Sequence, residues 1–360
     1  MKDRNDRRRL IGVALGAKTM SEALDALPNI AAEAEVVEYR LDYFEEPYDL
    51  RRLLRERPIP VIVTNRPPRE GGRCDQSDPE RLRVLQSAAE LGAEYIDIEW
   101  DAVSPAALAS LKANGSQVIV SRHSFEAMPI DFLDWVDFAA ECGADVVKTV
   151  GMARGLRDTL PVFAAFQRSS KPMISIAMGE AGLISRILAL RYDNCLLTFA
   201  TLGRGESTAP GQIPVRALHE VYRAKQIGAN TAVFGYLATT SPPTEWLSAL
   251  NAATRDAGVD GVWVPFVTDD RANGSSAEIV QAFRAVGVAG YLVDESAQAS
   301  ITEAAEIEPS MTTADRGGFH VLREVAGRMV SASAKTLDEA FTLVVGQHPI
   351  SDSILTTRES

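Results

Sequence analysis

Through the first two hundred residues, short runs of β-branched or apolar side chains recur at nearly even spacing. They cover residues 10–15, 35–40, 60–65, 95–100, 117–122, 145–150, 172–177 and 195–200. Segments with helical periodicity fall between them, at 21–32, 79–91, 105–113, 131–140, 155–167 and 183–190, and another at 215–225 follows the eighth run. Strands alternating with helices read as parallel βα units, because parallel neighbours need a crossover long enough for a helix. Eight units is the number that closes a barrel. Several runs are apolar throughout, as strands covered on both faces should be. The pattern therefore predicts an α/β fold, a (β/α)8 TIM barrel over 10–228 followed by a smaller α/β domain over 229–345. In that second domain strand-like runs lie at 231–237, 261–267 and 290–293, with helical periodicity at 245–257 and 277–286. An acidic, loop-like stretch at 302–318 precedes one more expected strand at 321–330 and a helix at 336–345. Residues 1–9 read as a basic arm and 346–360 as a flexible tail.

Composition narrows the class. The 360 residues are 46% hydrophobic and 24% charged, which excludes a disordered chain, a collagen-like repeat and a membrane bundle. A formal net charge of −12 argues against nucleic acid as a partner, yet leaves room for a local basic pocket facing an anionic metabolite. The three cysteines are odd in number and lack metal-ligand spacing, which suits a reducing cytoplasm. The basic arm leads into a strand rather than the apolar core of a signal peptide, and no uncharged run is long enough to span a bilayer. A cytoplasmic protein without a membrane partner is expected. There is no H-E-x-x-H, C-x-x-C, P-loop, G-x-S-x-G or G-x-G-x-x-G after a strand, so neither a metal nor a nucleotide cofactor is expected.

Chemistry concentrates at the strand ends, where barrels of this kind build their sites. The second strand finishes Glu38-Tyr39-Arg40, and the period of two places Glu38 and Arg40 on one face. The third ends near Arg66 and is followed by Glu70-Gly71-Gly72, the fourth carries Asp97 and Glu99, and the fifth runs into Ser121-Arg122-His123. The sixth holds Lys148 inside Asp-Val-Val-Lys-Thr-Val, one of seven lysines against thirty arginines. Arg186 follows the seventh strand, and Thr208 to Gln212 follow the eighth. Burial of Lys148 among apolar neighbours would favour a neutral amine able to attack a ketone, although pairing with a carboxylate explains the residue equally well. His123, one strand away, is suited to abstract a proton alpha to an imine, with Glu70 orienting its ring. Arg40, Arg66 and Arg186 offer forked donors for a carboxylate and hydroxyls; the alternative for all three is structural ion pairing with Glu38, Asp97 and Glu99, and for the first two both readings can hold together.

In that order, Glu38-Tyr-Arg40-Leu-Asp42, Thr64-Asn-Arg66 with Glu70-Gly-Gly, Ser121-Arg-His123-Ser-Phe125, Asp145-Val-Val-Lys148, Met178-Gly with Ser185-Arg186, and Ala209-Pro-Gly-Gln212 resemble the type I 3-dehydroquinate dehydratases. The likeness covers about residues 10–216, and its specificity lies in six short motifs in register. It implies a Schiff base between Lys148 and the C3 ketone of 3-dehydroquinate, with His123 removing the C2 proton and then protonating the departing hydroxyl. It further implies Glu70 as support for His123, Arg186 on the substrate carboxylate, and Glu38, Arg40, Arg66, Thr208 and Gln212 binding hydroxyls or ordering the pocket. Thr208 stands where the family pattern most often has serine. No cofactor is implied; the partner is the small-molecule substrate, and a homodimer is expected. Residues 202–208, polar and glycine-containing, are expected to form a lid. Another imine-forming barrel lyase such as an aldolase shares the lysine, but leaves His123, Arg186 and the Ala-Pro-Gly-Gln run unexplained.

The second domain resembles the substrate-binding half of shikimate dehydrogenase in Phe234-Gly235-Tyr236-Leu237, Ser241-Pro242-Pro243 and Gly261-Val262-Trp263-Val264-Pro265-Phe266. Where that family has a V-T-I-P-x-K run, this chain has Val293-Asp-Glu-Ser-Ala-Gln298, and the nucleotide-binding half is missing. The expectation is a degenerate, non-catalytic domain that binds a metabolite or serves assembly.

Overall fold

The computed structural model describes residues 9–203, 208–268, 275–297, 308–309, 319–325, 328–334 and 337–345. The chain divides into two compact units, one of residues 1–154 and 161–216, the other of 155–160 and 217–360.

In the first unit, β1 (Leu10–Leu15), β2 (Val36–Arg40), β3 (Val61–Thr64), β4 (Tyr95–Glu99), β5 (Gln117–Ser124), β6 (Val146–Met152), β7 (Met173–Met178) and β8 (Leu197–Ala200) form one sheet. Its order is β7-β6-β5-β4-β3-β2-β1-β8, and neighbouring strands pair in parallel. The sheet closes between β7 and β8 just below the latter. There the Met173 amide donates to the Asn194 carbonyl at 2.7 Å and the Leu196 amide donates back to Met173 at 2.8 Å. Around the sheet lie α1 (Met20–Glu33), α2 (Leu50–Arg55), α3 (Asp78–Glu90), α4 (Pro105–Lys112), α5 (Phe132–Glu141), α6 (Leu160–Arg168), α7 (Leu183–Leu188) and α8 (Val215–Glu220).

The eight predicted strands are all present. Their inward apolar side chains, among them Val36, Ile62, Tyr95, Ile119, Val146 and Ile174, fill the barrel below the site. Helix starts follow local chemistry: Thr19 accepts from the Glu22 amide at the head of α1, and Ser77 with Glu80 forms a capping box on α3. Helix α2 is absent from the sequence reading. It is a six-residue turn-and-a-half capped by Asp49, and only Leu53 and Leu54 are buried, too few positions to set up a period.

The second unit carries β9 (Ala232–Ala238), β10 (Gly261–Val267), β11 (Val288–Val293), β12 (Glu308–Pro309), β13 (Phe319–Val325) and β14 (Arg328–Ala334), with α9 (Thr244–Asp256), α10 (Ser276–Phe283) and α11 (Leu337–Val345). The sheet order is β10-β9-β11-β13-β14-β12; β9, β10 and β11 are parallel, while β13 runs antiparallel to both β11 and β14. Two expectations are corrected here. The single strand expected at 321–330 is a hairpin, because Val325 pairs with Arg328 and the chain reverses between them. Glu308-Pro309, assigned to an acidic loop, pairs with β14. Trp263 anchors the core of this unit: its indole donates to Thr254 Oγ1 at 2.9 Å, and Asn251 holds its backbone. Residues 1–8 of the expected basic arm and the tail (346–360) lie outside the described residues.

Candidate active site

Eight of the nine side chains singled out from the sequence line one pocket of about 480 Å³, counted to its open mouth: Glu38, Arg40, Arg66, His123, Lys148, Arg186, Thr208 and Gln212. The ninth, Glu70, lies directly behind His123. Its Oε2 accepts from the His123 amide at 2.6 Å and meets His123 Nδ1 at 2.9 Å, while Oε1 accepts from the Trp100 indole at 3.2 Å. With Glu70 ionised, Nδ1 carries the ring proton and Nε2 is left as the acceptor. Burial, and then the positive charges of Arg66 and Lys148, hold the imidazole well below its ordinary pKa, so the ring is neutral and in its basic form at pH 7.

The turn carrying Glu70 needs its glycines. Gly71 has φ +76°, and a Cβ there would stand 2.1 Å from the Phe125 ring, which itself stacks beside His123. Gly71→Ala is expected to lower stability by about 1–3 kcal/mol and to cut turnover by pulling Glu70 off the imidazole, measurable by thermal unfolding and steady-state kinetics on one preparation.

Lys148, on β6, is 4% exposed. Its Nζ donates to Asp97 Oδ2 at 2.8 Å, stands 3.6 Å from Glu38 Oε1, and lies 5.0 Å from the Phe199 ring centroid. The lysine is thus both buried and paired, and the two sequence-level readings meet in one residue. Glu38 is fixed from the other side by Thr64, whose hydroxyl donates to Oε1 at 2.7 Å. Arg66 donates to Asp97 at 2.9 Å and to Glu99 and Ser121 at 3.0 Å each, and Arg81 pairs with Glu99 from α3. The expected pairing of Arg66 with Asp97 and Glu99 is therefore present. Arg40 differs: it forms a two-pronged pair with Asp42, at 2.9 and 2.8 Å, because the 3-10 turn Leu41–Tyr43 curls Asp42 back beneath it. A strand period does not anticipate that return.

Arg186 is the exception in this balanced cluster. It is 1% exposed, reaches only the carbonyls of Phe199 (3.4 Å) and Pro210 (3.2 Å), and its buried Nε has no hydrogen-bond partner. Among the described residues no carboxylate pairs with it, and burial lowers its pKa to about 10. A guanidinium left without a counter-ion at the wall of a pocket is poised for an anionic ligand. Gln212 donates to Thr208 Oγ1 at 3.3 Å, which draws the segment after β8 over the pocket wall. The rest of the expected lid, residues 204–207, lies outside the described residues. Among those described, no group of three or more His, Cys, Asp or Glu side chains could hold a metal ion.

Sequence reasoning saw Asp97 and Ser121 at strand ends, and Thr64 and Asp42 within the motifs, but gave none of the four a catalytic or substrate-binding role. Asp97 and Ser121 alternate inward on β4 and β5, the same signal that marked Glu38 and Arg40, and their partners sit on or just after the neighbouring strands β3 to β6.

Fold and pocket together define the class: a (β/α)8 barrel with a polar, cation-rich site at the C-terminal ends of its strands. The chain belongs to the type I 3-dehydroquinase family, whose model matches residues 11–229. It is 33% identical over 211 residues to the 3-dehydroquinate dehydratase of Methanococcus maripaludis, a match covering 57% of this chain and 95% of that one. It is 32% identical over 265 residues to the chloroplastic bifunctional 3-dehydroquinate dehydratase/shikimate dehydrogenase of Arabidopsis thaliana, covering 72% of this chain and 43% of that one. The chain thus spans less than half the length of the Arabidopsis protein. The dehydroquinate dehydratase and shikimate dehydrogenase structure from S. pombe AroM superposes with a TM-score of 0.52 at 22% identity, over 91% of this chain and 64% of that one, which is a likeness of fold.

Proposed function

We propose that this protein dehydrates 3-dehydroquinate to 3-dehydroshikimate through an imine on Lys148. One observation carries the reading: a buried lysine, a neutral histidine held by a glutamate and an arginine without a counter-ion line a single pocket. Arg186 takes the substrate carboxylate and so orients the ring. The ketone condenses with the Lys148 amine, and the resulting iminium draws electrons from C2. His123 Nε2 accepts the C2 proton; the imidazolium so formed is stabilised by Glu70 and returns its proton to the leaving hydroxyl. Hydrolysis of the imine releases the conjugated ketone. Glu38, Arg40 and Arg66 order the pocket around the substrate hydroxyls, and Thr208 with Gln212 covers it. The test is to follow the absorbance of the conjugated product on adding 3-dehydroquinate to purified protein. No product with the intact chain would refute the reading.

The environment of Glu70 gives this reaction a pH signature. Burial raises its carboxyl, against the opposing charge of Arg66, to about 7. The carboxylate that fixes Nδ1–H is therefore lost as pH falls through 7 and complete well above it. The expected kcat/KM profile rises across pH 6–8 with a midpoint near 7, and Glu70→Gln removes that limb while lowering kcat by about ten- to a hundredfold. An unchanged limb in the variant would assign it to another group.

For the second unit the proposal is a non-catalytic binding or assembly role. Its support is the Val293-Asp-Glu-Ser-Ala-Gln298 run, of which Gln298 lies outside the described residues. Shikimate with NADP is expected to give no reduced nucleotide. We further propose a homodimer in a reducing cytoplasm. Cys74, Cys142 and Cys195 are free thiols, which suits that compartment, and no described helix is long and apolar enough to cross a membrane. Sedimentation of the full chain tests the dimer.

A further inference from the structure

Behind the lysine lies an unbroken chain of alternating charges: Arg81, Glu99, Arg66, Asp97, Lys148 and Glu38, each in salt-bridge contact with the next. Three cations meet three anions, and five of the six side chains are at most 4% exposed, so this network by itself carries no net charge. Asp97 is its centre. Fully buried on β4, it accepts from Lys148 Nζ at 2.8 Å and Arg66 at 2.9 Å through Oδ2, and from the Ser121 hydroxyl at 2.6 Å through Oδ1. The carboxylate is thus anchored at both oxygens by groups that are themselves buried.

We infer that Asp97 is the positioning residue of the Schiff-base lysine, a fixed counter-ion that holds Nζ at the pocket floor and keeps the condensed substrate as the cationic iminium. This rests on the proposed reaction and adds a residue to it. The balance of the condensation explains why a permanent anion is needed. An ammonium and a ketone become an iminium and water: the C–N double bond forms, the C–O bond breaks, and two of the three ammonium protons leave with the oxygen. One positive charge stands on nitrogen before and after. A carboxylate 2.8 Å away therefore matches both ends of the step without changing its own protonation, whereas a neutral imine would leave the buried network one charge out of balance. The iminium is also the form that acidifies the neighbouring carbon for His123. Although burial works to raise it, the charges of Arg66 and Lys148 hold the Asp97 carboxyl well below the usual carboxylate range, so it stays ionised throughout. Asp97 has no proton to take or give; Glu38, held only by Thr64 and the more distant lysine contact, is a separate group on the other side of Nζ.

Borohydride trapping at saturating 3-dehydroquinate tests this, with binding of quinate, which lacks the ketone, measured beside it. Asp97→Asn is expected to lower the trapped fraction about tenfold or more. Ser121→Ala, which removes one anchor of the carboxylate and leaves its charge, is expected to lower it about fivefold and serves as the decisive variant if the first does not fold. Both are expected to bind quinate as the wild type does. Wild-type trapping in either folded variant overturns the inference. So does a parallel loss of quinate binding, the mark of a merely structural residue. Failure of the wild type itself to be trapped would instead refute the proposed reaction, so the two outcomes are distinguishable.

Discussion

Lys148→Met is expected to abolish the covalent intermediate and to lower kcat by about 10⁴-fold or more, because no other amine among the described residues lines the pocket and the imine supplies the electron sink for the whole reaction. Every lining residue except the lysine lacks a primary amine. The same change strips Asp97 of one of its two cations, leaving Arg66, and removes the only cation in salt-bridge contact with Glu38 among the described residues. Breaking a buried pair from one side costs about 3 kcal/mol or more, so the variant is also expected to unfold at a lower temperature. Lys148→Arg separates the two effects. It retains a positive charge opposite Asp97 and should recover part of the stability, but its guanidinium forms no imine and its turnover should be as low as that of the methionine variant. Recovery of turnover in Lys148→Arg would show that the lysine acts through its charge alone.

Arg186→Met carries the second large effect, and its two consequences have opposite signs. Truncating the one charged partner of a buried carboxylate costs about 2–5 kcal/mol of binding, so KM for 3-dehydroquinate should rise by about a hundredfold. Stability should increase. Arg186 is buried with an unsatisfied Nε and no described carboxylate beside it, and burial lowers its pKa from the ordinary guanidinium value to about 10. A cation whose folded pKa is depressed destabilises the fold wherever it is charged. The cost is in full force below the folded value and fades as pH rises from there through the unfolded value. At pH 7 that cost is about 3 kcal/mol at most, and replacing the guanidinium with an apolar side chain removes it. Thermal unfolding and a KM determination on the same variant check both signs. A variant that loses stability along with affinity would mean that Arg186 holds the loop at Pro210 rather than awaiting a ligand.

The barrel was legible because its signal is local. Each strand is a short apolar run, and Lys148 stands out as a lone charge inside Val-Val-Lys-Thr-Val. Glu70 was legible through Gly71 and Gly72, whose backbone demands mark a turn of fixed shape at the mouth. What stayed hidden depends on contacts between distant segments. Asp97 and Lys148 are 51 residues apart, on strands separated by β5, and only the order and register of β4, β5 and β6 in the folded sheet bring them to 2.8 Å. The missing counter-ion of Arg186 is likewise a property of everything packed around it, and no spacing in the chain records it. Arg40 was placed correctly on the inner face but its partner was not, since the 3-10 turn after β2 reverses the backbone within two residues. In the second unit the hairpin of β13 and β14 escaped notice because one apolar-rich run passes through both strands.

The central claim is an imine on Lys148, and mass spectrometry of the full chain after borohydride reduction in the presence of 3-dehydroquinate tests it most directly. The account predicts a stable secondary amine on the peptide containing Lys148, absent without substrate and absent in Lys148→Met. Turnover of 3-dehydroquinate with no adduct at Lys148, or an adduct on a different lysine that survives in Lys148→Met, would contradict it.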